Sequence, residues 1–359
     1  MRYFFKSILF CAILSIFSCT TKNEEKSLAT YTFHIDNAVE FADSILSVSK
    51  EIVLDTSVVT QLTSNTNFMI DDDRIFCHAL TYVYEFDKEG KLISKIGQMG
   101  HGKGEYIQVH GVTLNKQDKI VEVLDAQEIY RYDYDGNFLS KESIDLPFSN
   151  FVYNDGYYWF ASGYNSICGD YNLYKYDKSF NQLEGVGERN MDICMDEDYF
   201  GKGTILTYRS SFSHDIYQII DNKAVIAYTM KFPGLEIPES FQNTSVSNIM
   251  QEMESNNFAI IRRFMENERY IFMLIQESNP KSQDLLLYYW IIDKKMKDER
   301  IVKFSGLKLD DSNLDSYYLN PQVLDKDNIL YFVGCKDNPN IGIYGIDLKL
   351  LFSKINKKQ

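Results

Sequence analysis

Residues able to do chemistry gather most densely along Ile96–Tyr106 (IGQMGHGKGEY) and just beyond it: His101, Lys103, Glu105, Tyr106 and His110. Two imidazoles and a carboxylate form a donor set that zinc accepts. Their spacings of four, five and nine do not make a paired metal motif on one strand, so no metal is expected. Gly97, Gly100, Gly102 and Gly104 suggest a phosphate cradle. Such a cradle needs a strand before it and a helix after it, so that amides and the helix dipole face the anion. Here a strand pattern follows and the G-x-G-x-x-G spacing is missing, so the glycines read as a crossing with unusual backbone angles.

A second charged group holds Glu188, Arg189, Asp192, Asp196, Glu197 and Asp198. It lacks the D-x-D-x-D-G order of a calcium loop and reads as a solvated acidic turn, as does Asp71–Asp73. The five histidines, His34, His78, His101, His110 and His214, lie outside any G-x-S-x-G elbow, so no serine triad is indicated. The two carboxylates of a glycosidase cannot be located among 51 acidic residues. No catalytic residue and no cofactor is expected. A ligand-binding set remains: His101, Lys103, Glu105, Tyr106, His110 and Arg189, placed where crossings between repeats line one mouth of a channel.

The elements that would position these residues recur. An aromatic residue, any residue, an apolar residue and Asp appear at Tyr84–Asp87, Tyr130–Asp133, Tyr174–Asp177, Trp290–Asp293 and Tyr344–Asp347, with a slipped copy ending at Asp221. The aspartates lie 46, 44, 44, 72 and 54 residues apart. Within Gln108–Ile144, apolar residues alternate over Val109–Leu114, Ile120–Leu124, Ile129–Tyr132 and Phe138–Ile144. Period two over such lengths marks half-buried strands, and the polar breaks between them carry turn chemistry. Each repeat is therefore a four-stranded antiparallel meander. Gly90 and Gly136 follow the repeated Asp by three residues and suit a left-handed hairpin closure. The aspartates are expected to hold turns through nearby amides, and the aromatics to pack between units.

Meanders at this period predict an all-β, six-bladed β-propeller. The units fall at roughly 56–97, 107–144, 149–185, 195–231, 257–304 and 317–347. The last shows only three strands, so an early strand must complete it: Lys50–Asp55 first, Tyr31–Ile35 second. The long fourth gap holds a short helical insertion near 239–255, read as a packing insert at a blade edge rather than a cap on the channel.

The N-terminus reads as export machinery. Arg2 and Lys6 precede an apolar core of about ten residues, Ile8–Phe17, and then Ser18–Cys19. A small residue before Cys resembles the bacterial lipobox, which implies lipidation of Cys19. The expected domains are a signal peptide at 1–18, a flexible tether at 19–30, the propeller at 31–350 and a tail at 351–359. Residues 20–28 read as a polar tether, and Glu24–Glu25 look like a surface-export signal. The chain carries a net charge of −14, or −16 without Arg2 and Lys6. Such a surface repels phosphate backbones, so nucleic acid is not an expected partner. No C-x-x-C occurs. Cys168 and Cys194 are close enough in adjacent units to pair, though buried thiols are the plainer expectation.

The string Ile96–Tyr106, with the hairpin before it and Val109–Leu139 after it, resembles the NHL-like or TolB-like six-bladed propellers of Bacteroidetes lipoproteins. Lys103 stands where that pattern has Pro. The resemblance implies a lipid-anchored six-bladed propeller on the outer membrane, facing the periplasm or the cell surface, and implies no activity. The functional expectation is a monomeric binding or scaffold module for a peptide, a glycan or an envelope protein. The alternative is an envelope hydrolase or lyase with a site at the channel mouth.

Overall fold

The computed structural model describes residues 28–42, 44–55, 62, 66–71, 73–78, 81–163, 166–189, 199–241, 246–280, 284–308, 317–334 and 341–355. The signal segment, Cys19, Asp192–Asp198, Cys194 and Cys335 lie outside them. Six antiparallel sheets form a six-bladed propeller. Blade 1 runs through Asn67–Asp71, Arg74–His78, Val83–Asp87 and Leu92–Ile96. Blade 2 uses Gly111–Asn115, Ile120–Asp125, Glu128–Asp133 and Phe138–Ser143, and blade 3 uses Asn150–Asn154, Tyr157–Ala161, Tyr171–Tyr176 and Gln182–Glu188. Blade 4 runs Tyr199–Lys202, Leu206–Arg209, Asp215–Ile220 and Lys223–Lys231. Blade 5 runs Phe258–Glu266, Tyr270–Ser278, Asp284–Asp293 and Asp298–Lys308.

Blade 6 takes three strands from the C-terminal part, Pro321–Leu324, Ile329–Gly334 and Gly342–Asp347. Its fourth is Val48–Val53, antiparallel to Gly342–Asp347 with Ile52 opposite Ile343. The ring thus closes with the first-choice early strand, which removes a bare sheet edge. Tyr31–Ile35 does something else. Ala29–Thr32 adds in parallel to the outer strand of blade 4, and Val39–Glu40 adds in parallel to that of blade 5. The N-terminal segment is therefore a strap around three blades before it closes the ring. Phe33 pins it, buried between blades 4 and 5 with its ring 5.3 Å from Trp290 and 5.4 Å from Phe232. Phe41 stacks on Phe304 at 4.7 Å.

The recurring phrase has the structural job its chemistry suggests. Asp87 Oδ1 accepts from the amides of Glu89 and Lys91, and Asp177 Oδ1 from those of Ser179 and Asn181. Gly90 and Gly136 sit at φ +88° and +84°, the left-handed region that hairpin closure uses. The last copy, Asp347, caps helix α2 (Leu348–Lys354) by accepting from Lys349 and Leu350 amides. Residues expected in the tail join the core here: Leu351, Phe352 and Ile355 are buried. The phrase aromatics, including Tyr132, Tyr176, Trp290 and Tyr344, are buried between blades.

The insertion contains helix α1 (Val246–Met253), and Phe241 just before it is buried. Ile249 of α1 joins Phe241 against Phe258 and Ile260 at the start of blade 5. It packs at a blade edge, and none of its described residues lines the channel. Cys168 is buried with its thiol donating to Pro147 O at 3.0 Å.

Ile52 packs against Tyr331, Val333 and Ile343 in the closing blade. Ile52→Ala is expected to cost about 2–5 kcal/mol, the range for a truncated core isoleucine. Equilibrium urea unfolding measures it; a change within about 0.5 kcal/mol would mean that the strand contributes little to closure.

Candidate functional site: the central channel

The inner strands of the blades surround a channel of about 1550 Å³. Its wall runs the height of the ring, from Gln108, Ser149 and Asn320 at the strand starts to Lys116, Asp155 and Gly203 at the first hairpin turns. Amides and hydroxyls of Asn67, Thr113, Asn150 and Asn154 share the wall with Phe151, Tyr153 and Tyr199. Such a mixture of apolar surface and a few convergent polar groups is the usual make-up of a ligand site.

The charge of the wall is opposite to that of the protein. Overall, 51 acidic residues face 37 basic ones. Among the described wall residues the cations are Lys116, Lys202, Arg262 and Arg263, and the only carboxylate is Asp155. Lys116 is turned to blade 1, donating to Ile70 O at 2.8 Å. The unusual cations are deeper.

Lys202 ends the inner strand of blade 4. Its flanking glycines explain its position. A Cβ at Gly201 would stand 2.3 Å from Phe264 O, and one at Gly203 2.0 Å from Glu266 O. Only glycine lets this strand press so closely on blade 5. Lys202 then reaches across the channel, and Nζ donates to Phe68 O of blade 1, on the opposite side of the ring, at 3.3 Å. Burial, then the charge of Arg263, pushes its pKa down to about 8, against a weaker opposing effect of Cys77.

Arg263 lies in the inner strand of blade 5, at a register shift between Ile261 and Arg263. Bulges of this kind re-aim a side chain. Its guanidinium lies 4.9 Å from the Tyr199 ring centroid, and Nη1 donates to Arg262 O at 2.9 Å. Among the described residues no carboxylate pairs with Lys202 or Arg263. The Tyr199 hydroxyl is buried and makes no hydrogen bond among them. Burial raises its pKa, with Arg263 and then Arg209 opposing. His78, across the channel, is pushed down to about 3 by burial and then by the Lys202 charge, and so stays neutral.

Of the residues singled out from sequence, His110 lines the channel, and its Nδ1 accepts from the Ala126 amide at 3.1 Å. His101 and Lys103 are exposed on the crossing, away from the wall. Glu105 folds back, accepting from the Gly102 amide at 2.7 Å and from Gln98 Nε2, so it holds the loop. Tyr106 is fully buried and donates to Ile96 O at 2.9 Å. The loop turns outward because Gln98–Met99 pairs with Glu105–Tyr106, and Gly104 seats against Phe138 in the outer strand of blade 2. Arg189 is at the outer end of blade 3, its Nη2 on Gly163 O at 3.1 Å. The structure thus brings only His110 to the channel. Sequence reasoning missed Lys202, Arg262, Arg263 and Tyr199. Signals for them exist: a lysine between two glycines, and two adjacent arginines inside the apolar run FAIIRRFME.

A smaller rim cavity of about 610 Å³ is lined by Tyr31, Lys294 and Arg300. Lys294 pairs with Glu266 at 2.6 Å and Arg300 with Asp298 at 2.7 Å, so these cations serve the fold. Among the described residues, no group of His, Cys, Asp and Glu is arranged to hold a metal, and no helix is long and apolar enough to cross a membrane.

The sequence profile of the family described as "Domain of unknown function (DUF4934)" matches residues 32–343. No curated protein matches the chain. Among solved structures, a Bacteroides fragilis protein described as a presumed exported protein is similar at TM-score 0.68 and 17% identity, over 93% of this chain and 100% of that one. A DUF4221 family member from Bacteroides vulgatus is similar at TM-score 0.56 and 11% identity, over 84% of this chain and 97% of that one. At these identities the likeness is one of fold.

Lys202→Met is expected to raise the thermal midpoint at pH 7 by about 2 °C or more, because it removes a buried charge facing Arg263. Below pH 8 Lys202 is protonated in both folded and unfolded chains, and the whole cost is felt. From about 8 to its ordinary value of 10.5 the folded lysine is neutral while the unfolded one still binds a proton, so wild-type stability rises with pH. Differential scanning calorimetry across pH 6–11 should show the advantage of the variant fading through that window. A variant less stable at pH 7 contradicts the assignment.

Proposed function

The chain belongs to the DUF4934 family, and from that membership and the channel geometry we propose that it is a non-enzymatic binding or scaffold module of the cell envelope, holding its ligand in the central channel. The observation that carries this reading is the channel itself. At about 1550 Å³ it exceeds the roughly 300–1,000 Å³ of ordinary small-molecule pockets, so it suits an extended ligand such as a peptide, a glycan or a segment of an envelope protein. Each inner strand that forms it is hydrogen-bonded into a blade of the closed ring.

The envelope location rests on the N-terminal pattern. Ile8–Phe17 is an export-type apolar core, and Ser18–Cys19 matches a lipidation site. Two or more acyl chains on Cys19 would hold the propeller durably at the outer membrane, facing the periplasm or the surface. The similarity to a protein described as exported supports the same compartment.

A second reading, catalysis, draws on Lys202 and His78. A lysine with a lowered pKa facing a neutral imidazole is a candidate base or amine nucleophile in a hydrolase or lyase. Binding is favoured because Lys202 donates to a carbonyl across the ring, and among the described residues no carboxylate pairs with it to relay a proton.

Asn67 is exposed in the wall, so Asn67→Trp narrows the channel at little cost to the core. Affinity capture from envelope extracts should recover a specific partner with the wild-type chain and not with Asn67→Trp. No partner, together with turnover of a small substrate that depends on Lys202, would replace this reading with the catalytic one. For the anchor, Cys19→Ser should abolish incorporation of labelled fatty acid and release the protein from the membrane fraction; label retained in the variant would exclude Cys19 as the lipid site.

A further inference from the structure

We propose, resting on the reading that the channel holds the ligand, that the ligand presents an oxyanion (a carboxylate, sulfate or phosphate group) to a subsite made by Lys202, Arg263 and the Tyr199 hydroxyl. Three observations converge on it. The wall collects cations inside an acidic protein, so its sign is a local feature and not a consequence of composition. Lys202 and Arg263 meet only backbone carbonyls and an aromatic face, so among the described residues neither charge is neutralised. The Tyr199 hydroxyl, on the ring that the Arg263 guanidinium covers, is buried with no partner among the described residues.

Each of these is costly alone. A buried polar group without a hydrogen bond loses its hydration for no return, and like charges brought together disfavour each other. Arg263 has five N–H donors and uses one atom, Nη1, on Arg262 O. Lys202 spends one donor on Phe68 O. The three groups lack the same thing: an acceptor rich in oxygen that carries negative charge. A neutral hydroxyl could satisfy one donor and leave both charges standing. An oxyanion offers the guanidinium fork and the hydroxyl an acceptor, and its charge answers both cations. The fold holds the groups ready, because Gly201 and Gly203 seat the blade 4 strand on blade 5 and the register shift aims Arg263.

Binding would also restore proton affinity to Lys202. The titratable groups facing it are Arg263 from blade 5 and Cys77 and His78 from blade 1; Cys77 stays neutral because burial pushes its pKa up, and His78 because burial pushes its pKa down. Affinity for an anion should therefore fall once pH rises past about 8.

The test is calorimetric titration of the mature chain at pH 7, with ionic strength held constant by sodium chloride. The probes are sodium sulfate, inorganic phosphate, trigalacturonate and neutral maltotriose. At least one of the first three should bind saturably, and which one does so distinguishes sulfate, phosphate and sugar carboxylate as the source. Lys202→Met and Arg263→Gln should each weaken it about tenfold or more. Tyr199→Phe, which keeps the ring and the guanidinium stack, should weaken it severalfold and guards against a variant that fails to fold. Binding that all three variants leave unchanged overturns the subsite. If no oxyanion binds while maltotriose does, and Asn67→Trp abolishes that binding, the anion inference falls and the channel reading stands. If no probe binds and Asn67→Trp does not alter capture from envelope extracts, both fall.

Discussion

A ring of sheets exists only if its last blade finds a fourth strand, and here that strand comes from the other end of the chain. Val48–Val53 lies antiparallel to Gly342–Asp347, nearly three hundred residues away in sequence. The loop-closure entropy of such a contact grows only slowly with chain length, so the cost is bearable once the blades between are formed. Everything about the channel follows from this pairing. Without it blade 6 has a bare edge, the inner strands lose their circular order, and Lys202 has no opposite wall to reach.

The ring is tightened blade by blade through buried polar contacts. Asp71 accepts from Lys119 and Tyr134 between blades 1 and 2, at 2.7 and 2.8 Å. Glu122 accepts from Tyr158 across the next seam, and Tyr208 donates to Asn172 O across the third. Glu266 joins blades 4 and 5 by accepting from Tyr228 and Gln218. Asn267 donates to Asp325 O between blades 5 and 6, and Gln322 ties blade 6 to the Phe68 amide of blade 1. A half-made seam would leave a buried polar group unsatisfied as well as an apolar face exposed. That asymmetry specifies the neighbour of each blade more strongly than area alone. It also makes the channel cations conspicuous: at the seams charge is matched, and at the half-buried Lys202 and Arg263 it is not.

How much of this could be read in the chain depends on the range of the interaction. The meander, the Asp-held turns and the left-handed Gly90 and Gly136 are local, and period-two alternation with turn residues reports them directly. The closing strand was legible because the last unit was one strand short. The strap was not: whether Ala29–Thr32 pairs with blade 4 or completes blade 6 is decided by where Phe33 finds a pocket, which is tertiary. The same holds for the site. His101, Lys103, Glu105 and Tyr106 looked like mouth residues because they sit on a crossing, but the crossing pairs with itself and anchors outward on Phe138. Gly201–Lys202–Gly203 carried the better signal. Its meaning depends on which strand is innermost and how closely blade 5 approaches, and neither is written in the local pattern.

Native-state hydrogen exchange at Val48–Val53 tests the account most directly. If this segment closes the ring, its hydrogen-bonded amides exchange with those of Gly342–Asp347, as one slow cooperative unit whose opening approaches global unfolding. Rapid exchange at Val48–Val53, with Gly342–Asp347 still protected, would show that the ring is open in solution and that the channel assembled around Lys202 is not a built site.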